Sequence, residues 1–186
     1  MATAAVRPAT PEDVDEIVRL QADTWSTAYA GLVPAAALEG LRSPAARAAW
    51  RAAVEAGERH HVLLATEGAW TVGFCAAAPA VEPEGAVAPS GPTLGPEAWA
   101  EISALIVEPR WGRRGHGGRL LAAAAAALRA EGARYGLAWV PEADAASRSF
   151  YKAAGWEADG TVRVLDTGEG ELREVRITGS LDLELV

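Results

Sequence analysis

The chain has 186 residues, a mass of 19.3 kDa, 50% hydrophobic and 23% charged residues, and a formal charge of -8. This is the balance of one soluble globular domain spanning 1–186, and it excludes a disordered or fibrous chain. The acidity excludes a general nucleic-acid binder, the lone Cys75 excludes a disulfide and a multi-cysteine metal site, and no apolar run reaches the roughly 20 residues of a membrane span.

In chain order, Ala5 to Pro8 reads as a short strand. Thr10-Pro11-Glu12-Asp13 reads as a helix start: Thr10 caps, Pro11 suits the first helical position, and the two carboxylates suit the positive end of the dipole. Val14, Ile17, Val18 and Gln21 follow at helical spacing, and Trp25 and Tyr29 continue that face until Gly31. A second helical stretch runs from Pro34 to Ala56 and breaks at Ser43-Pro44. His61 to Thr66 and Trp70 to Ala78 form a hairpin turned at Glu67-Gly68. Pro79 to Pro96 is rich in proline and glycine with little periodicity, so 79–98 is a long loop, either a lid or a surface insertion. Trp99 to Val107 is a strand, Gly115 to Glu131 a helix, Tyr135 to Val140 a strand and Asp144 to Ala154 a helix. Trp156 to Leu165 and Leu172 to Leu185 are the closing strands, joined by the turn Thr167 to Gly170. Helices alternating with the strands of a mixed sheet give an α/β (α+β) single domain. The three histidines are too scattered for a metal site, and the N-terminus lacks the basic and apolar blocks of a signal peptide, so the expected location is cytoplasmic. The alanine and arginine bias, with Lys152 the only lysine, reads as bacterial coding style.

The chemical information concentrates where an apolar strand ending at Leu105, Ile106 and Val107 runs into a turn holding Gly112, Gly115, Gly117 and Gly118. Glycines let a backbone turn tightly and approach a ligand closely. The unpaired N–H groups of the helical turn that follows, and the positive end of its dipole, favour an anion. Arg113, Arg114 and Arg119 add formal charge, so an acidic chain carries a local phosphate cradle. It is not a P-loop, because no lysine and hydroxyl close it. It is not a dinucleotide fingerprint, because Leu120 stands where the third glycine belongs. A simple helix cap would leave the arginines without a packing reason.

On these residues the chain resembles the GNAT superfamily of N-acetyltransferases, whose strand–turn–helix motif Arg/Gln-x-x-Gly-x-Gly/Ala holds the pyrophosphate of acetyl-CoA. Here the motif falls on Gly112-Arg113-Arg114-Gly115-His116-Gly117, with Gly112 in place of Arg or Gln. The second family segment, Asn-x-x-Ala-x-x-Phe-Tyr and then Gly-Phe/Trp, falls on Asp144 to Trp156. Phe150, Tyr151 and Gly155-Trp156 match, while Asp144 and Ser147 replace Asn and Ala. The resemblance covers most of the chain and implies a mixed, mostly antiparallel central sheet flanked by helices. It implies acetyl-CoA as co-substrate and no metal. The main chain of Leu105, Ile106 and Val107 would pair with the pantetheine arm like an added strand. Arg113, Arg114, Gly115, His116, Gly117 and Gly118 would hold the pyrophosphate, with Asp144, Ser147 and Phe150 beside them. Gly112 would weaken that grip, and Arg113 or Arg114 would compensate. The long last strand leaves a homodimer open.

The implied reaction is transfer of the acetyl group to a primary amine, on a small molecule or a protein N-terminus, by direct attack in a ternary complex. An amine with a pKa near 10 is only about 0.1% unprotonated at pH 7, so a base helps; a thiolate with a parent pKa near ~8.5 needs only a modest acid. Tyr151, placed by the motif, is the candidate acid. Glu101 is the candidate base. If Ile102, Ala104 and Ile106 face one side of their strand, then Glu101, Ser103 and Leu105 face the other. A carboxylate there is costly unless it meets a wet cleft or a partner; a solvated strand start is the plainer alternative. Glu142 and Asp144 compete for the same role. Trp25, Tyr29 and Trp139 make either an aromatic wall for the acceptor or ordinary core. The departures at Gly112, Asp144 and Ser147 keep a second class of function open: a catalytically weak acyl-CoA-sensing or partner-binding module.

Overall fold

The computed structural model describes residues 3–81, 83 and 85–183, and among them seven strands form one sheet. In chain order the elements are β1 (Ala4–Pro8), α1 (Val14–Ala28), α2 (Ala35–Gly40), α3 (Pro44–Glu55), β2 (His61–Glu67), β3 (Trp70–Pro79), β4 (Trp99–Val107), α4 (His116–Ala130), β5 (Tyr135–Pro141), α5 (Ala145–Ala153), β6 (Glu157–Asp166) and β7 (Glu171–Ser180). The strand order is β1-β2-β3-β4-β5-β7-β6. Every neighbouring pair is antiparallel except β4 with β5.

The sequence signals act locally as expected, with one delay. Ser43 caps α3 by accepting the Ala46 N–H at 3.1 Å, so the second helical stretch does break at Ser43-Pro44. The first helix is preceded by a 3-10 turn over Pro11–Asp13. There Asp13 accepts the Thr10 N–H at 2.8 Å and both terminal nitrogens of Arg7 at 2.8 Å each, tying β1 to the start of α1. The Arg7 guanidinium holds the Asp13 carboxyl down at about 2.

The sheet is covered on both faces. Ile17 and Leu20 of α1 pack on Leu64, Phe74 and Ile106. Leu120, Leu121 and Leu128 of α4 pack on the other face with Leu63, Cys75 and Ile102. Trp156 fills a socket that β5 and β7 make for it. Gly136 and Gly179 face each other across the ladder, and a Cβ on either would collide with the indole. The indole N–H donates to the Ser180 carbonyl at 3.0 Å.

The 79–98 loop packs on the sheet: Ala80, Ala86 and Ala88 lie against Trp99, Tyr135 and Leu137. The Tyr135 hydroxyl donates to the Pro92 carbonyl at 2.7 Å, and the Thr178 hydroxyl to the Val87 carbonyl at 2.5 Å. The last strand differs from expectation in place and length. β7 ends at Ser180, and the tail of the expected strand, 184–185, lies outside the described residues. β7 sits between β5 and β6, with both of its edges paired, and the edge strands of the sheet are β1 and β6.

Candidate active site

A parting of two central strands makes the cleft. β4 and β5 pair only over Trp99–Glu101 and Tyr135–Leu137, and beyond those residues no ladder joins them. A bulge accompanies the parting: Ala77 pairs with Ile102 and Ala76 with Ala104, which leaves Ser103 out of register. One extra residue inverts the parity of everything after it. Ala100 and Ile102 therefore pack with α4, whereas Ala104 and Ile106 pack with α1. This corrects the simple alternation expected for β4. Glu101 shares a face with Ala104 and Ile106, and Leu105 and Val107 turn to the α4 side.

The cradle is built at the end of β4. Gly115 caps α4 with φ 80, a left-handed conformation that glycine adopts without a Cβ penalty. Arg113 is also left-handed, at φ 61, a strained state for a residue with a side chain. The first N–H groups of α4, from His116 onward, have no partner within the helix and face the space that the turn encloses. A Cβ on Gly117 would come within 3.1 Å of Phe150 and 3.7 Å of Leu105, whereas one on Gly118 would meet nothing within 4 Å. The cradle floor thus admits close approach of a ligand. Of the three arginines, Arg113 lines the cavity. Arg114 stacks on Trp111 at 4.9 Å and reaches Glu67 at 3.4 Å, and Arg119 donates to the Arg114 carbonyl at 2.9 Å. The His116 imidazole is turned inward and buried, its Nε2 donating to Glu67 at 2.8 Å, so only its main chain faces the anion. Glu67 anchors the turn to β2, a role that no local sequence signal marks.

Two cavities meet in the cleft. The larger, about 590 Å³, runs from the cradle along Leu105–Val107 to α1 and α5. The smaller, about 290 Å³, lies against Glu101, Trp139 and Glu174. Trp25, Tyr29, Leu105, Ile106, Ser147 and Tyr151 line both. Tyr151 is 5% exposed and stacks on Trp156 at 5.3 Å, so the Gly136–Gly179 socket fixes its ring from behind. Burial pushes its phenol above the ordinary value, which keeps it protonated. Trp25 meets Tyr29 edge to face at 5.0 Å.

Asp144 caps α5. Its Oδ1 accepts the Ser147 N–H at 2.9 Å, and its Oδ2 accepts the Ser147 hydroxyl at 2.7 Å and the Tyr29 hydroxyl at 2.5 Å. Burial alone would raise the Asp144 carboxyl; these donors outweigh it and hold the carboxyl below its ordinary value. Burial, aided by Asp144, pushes the Tyr29 phenol up.

The smaller cavity contains residues that sequence reading missed. Glu174 is 6% exposed and takes the Arg163 Nε at 2.5 Å, while the Arg163 guanidinium lies 4.4 Å over Trp139. A signal was present: Leu172, Glu174, Arg176 and Thr178 alternate along β7 and are all buried, which puts two charges on an inward face. Among the described residues no three His, Cys, Asp or Glu groups are placed to hold a metal. No helix of the described residues is long and apolar enough to cross a membrane.

The profile of the Acetyltransferase (GNAT) family matches residues 16–156. The fold is similar to that of the paia N-acetyltransferase from Thermoplasma acidophilum, solved in complex with coenzyme A, with a TM-score of 0.74 and 16% identity over 96% of this chain and 99% of that one. An N-acetyltransferase from Staphylococcus aureus gives 0.72 and 17% over 97% and 100%. The structure of yncA from Salmonella typhimurium with its cofactor acetyl-CoA gives 0.68 and 17% over 96% and 94%. No curated protein matches the sequence significantly.

Proposed function

The chain belongs to the GNAT acetyltransferase family, and from that premise we propose that it transfers the acetyl group of acetyl-CoA to a primary amine of a small molecule or a protein N-terminus. One observation carries the reading: Tyr151 lies where a cofactor-sized cavity and a second, smaller cavity meet. Two cavities that share Tyr151 among their walls suit two substrates that react there by direct attack.

The residues divide the work. The amides of His116, Gly117 and Gly118, with Arg113, receive the pyrophosphate. The exposed main chain of Leu105–Val107, freed by the parting of β4 and β5, receives the amide groups of the pantetheine arm. Gly117 fits this role because any larger residue would crowd Phe150 where the arm must pass. Glu101 lies on the other side of the seam, in the acceptor cavity, and takes the proton that the attacking amine loses. Tyr151, kept neutral by burial, donates a hydrogen bond to the departing sulfur. A donor of high pKa stabilises a thiolate without having to protonate it fully. Trp25 and Trp139 bound the acceptor cavity. Positioning two bound substrates supplies much of the remaining rate.

The test is thiol release from acetyl-CoA with a panel of amines, for the wild type and Tyr151→Phe. The account predicts a loss of about 10²–10³ in kcat for the variant, with coenzyme A affinity retained. Unchanged turnover would remove Tyr151 from the mechanism.

A further inference from the structure

We propose that Tyr29, Asp144 and Ser147 form a latch across the cleft, closing over the cofactor arm and setting how fast coenzyme A leaves. The proposal rests on the reading of the larger cavity as the acetyl-CoA site. Tyr29 ends α1, which packs on one face of the sheet; Asp144 starts α5, whose Tyr151 packs on the other. Their side chains meet although 115 residues separate them in sequence. Both line the larger cavity, which runs along Leu105–Val107, beyond the last paired residues of β4 and β5. Tyr29 and Ser147 line both cavities together with Leu105 and Ile106, so the bond spans the strand on which the arm would lie. In this proposal the walls of the cleft and the bond close a ring round the arm. An extended molecule with a bulky nucleotide at one end leaves such a ring sideways only when the bond opens.

Capping does not require the bond. Asp144 Oδ1 already satisfies the Ser147 N–H, and asparagine caps helices as well as aspartate does. The second oxygen is what a carboxylate adds, and it receives two hydroxyls, one from its own helix and one from α1. An ionised acceptor with a neutral donor is the stronger class of hydrogen bond, so the closed state is well populated.

Release is read with the protein's own chemistry. Cys75 is fully buried and burial pushes its thiol up to about 12, so an excess of a chromogenic disulfide reports only coenzyme A that has left the cleft. Protein loaded with coenzyme A is mixed rapidly with the trap for the wild type, Tyr29→Phe, Asp144→Asn and the double variant. The latch predicts that each single change speeds release about tenfold, and that the double variant is no faster than either alone. Tyr29→Phe keeps the ring against Trp25 and leaves the Ser147 N–H bond to Asp144 Oδ1 in place, so it carries the test if Asp144→Asn fails to fold. Unchanged release in Tyr29→Phe, or effects that multiply in the double variant, would overturn the latch. A wild type that retains no coenzyme A in equilibrium dialysis would overturn the cleft reading itself, and the latch with it.

Discussion

Gly112 stands at φ −59 and ψ 157, extended backbone that any residue adopts, and a Cβ there would meet only the Pro109 carbonyl, at 3.1 Å. Nothing in the backbone demands glycine. The account therefore predicts that Gly112→Gln folds normally and tightens coenzyme A binding in calorimetry; unchanged affinity would mean that the backbone and Arg113 already saturate the grip. Gly117 is the opposite case. A β-branched residue there drives into Phe150 and Leu105, and Gly117→Val is expected to weaken coenzyme A binding by about tenfold or more, since overpacking typically costs ~1–3 kcal/mol. The glycines and arginines of the turn were legible because their spacing is local. The inward turn of His116 toward Glu67 was not, because its partner lies 49 residues away on another strand. The same holds for the bond of Tyr29 with Asp144, whose partners lie 115 residues apart.

Helices and strands were legible nearly to their ends, because caps, prolines and turn glycines punctuate them. The bulge at Ser103 was not, because it is a property of the pairing of β3 with β4 and no residue of Trp99–Val107 announces it. That one unpaired residue decides which way Glu101 and Leu105 face. At the same scale, the indole of Trp156 depends on two glycines in different strands. Gly179→Ala is predicted to destabilise by about 1–3 kcal/mol and to lower the melting midpoint by several degrees. Because the indole supports Tyr151, kcat is expected to fall as well; calorimetry and initial rates on one sample check both. The tether of β1 to α1 has a pH signature. Asp13 is held at about 2, below its ordinary 3.8, so the Arg7 bond stabilises the fold above that ordinary value and is lost as the pH falls from about 4 toward 2. Arg7→Ala is predicted to flatten this part of the stability–pH curve in denaturant titrations; an unchanged slope would show that the tether contributes nothing there.

For the molecule as a whole, the fold class was legible from element order, and the sheet order was not. A chain reading cannot tell that β7 inserts between β5 and β6, because that depends on which strands meet in space. Arg163 and Glu174 line the smaller cavity by the same insertion. Net charge also behaves differently at this scale. The chain carries -8, yet the proposed anion cradle is made from helix N–H groups and a left-handed Arg113, so the proposed binding follows local geometry. The most direct test of the central claim is thermal unfolding with acetyl-CoA, coenzyme A, ATP and NAD in parallel. At 100 times its Kd a ligand adds about 2.7 kcal/mol, which at this size raises the midpoint by roughly 5–10 °C. The account predicts that rise with acetyl-CoA and coenzyme A and none with NAD; no shift with either acyl carrier would contradict it.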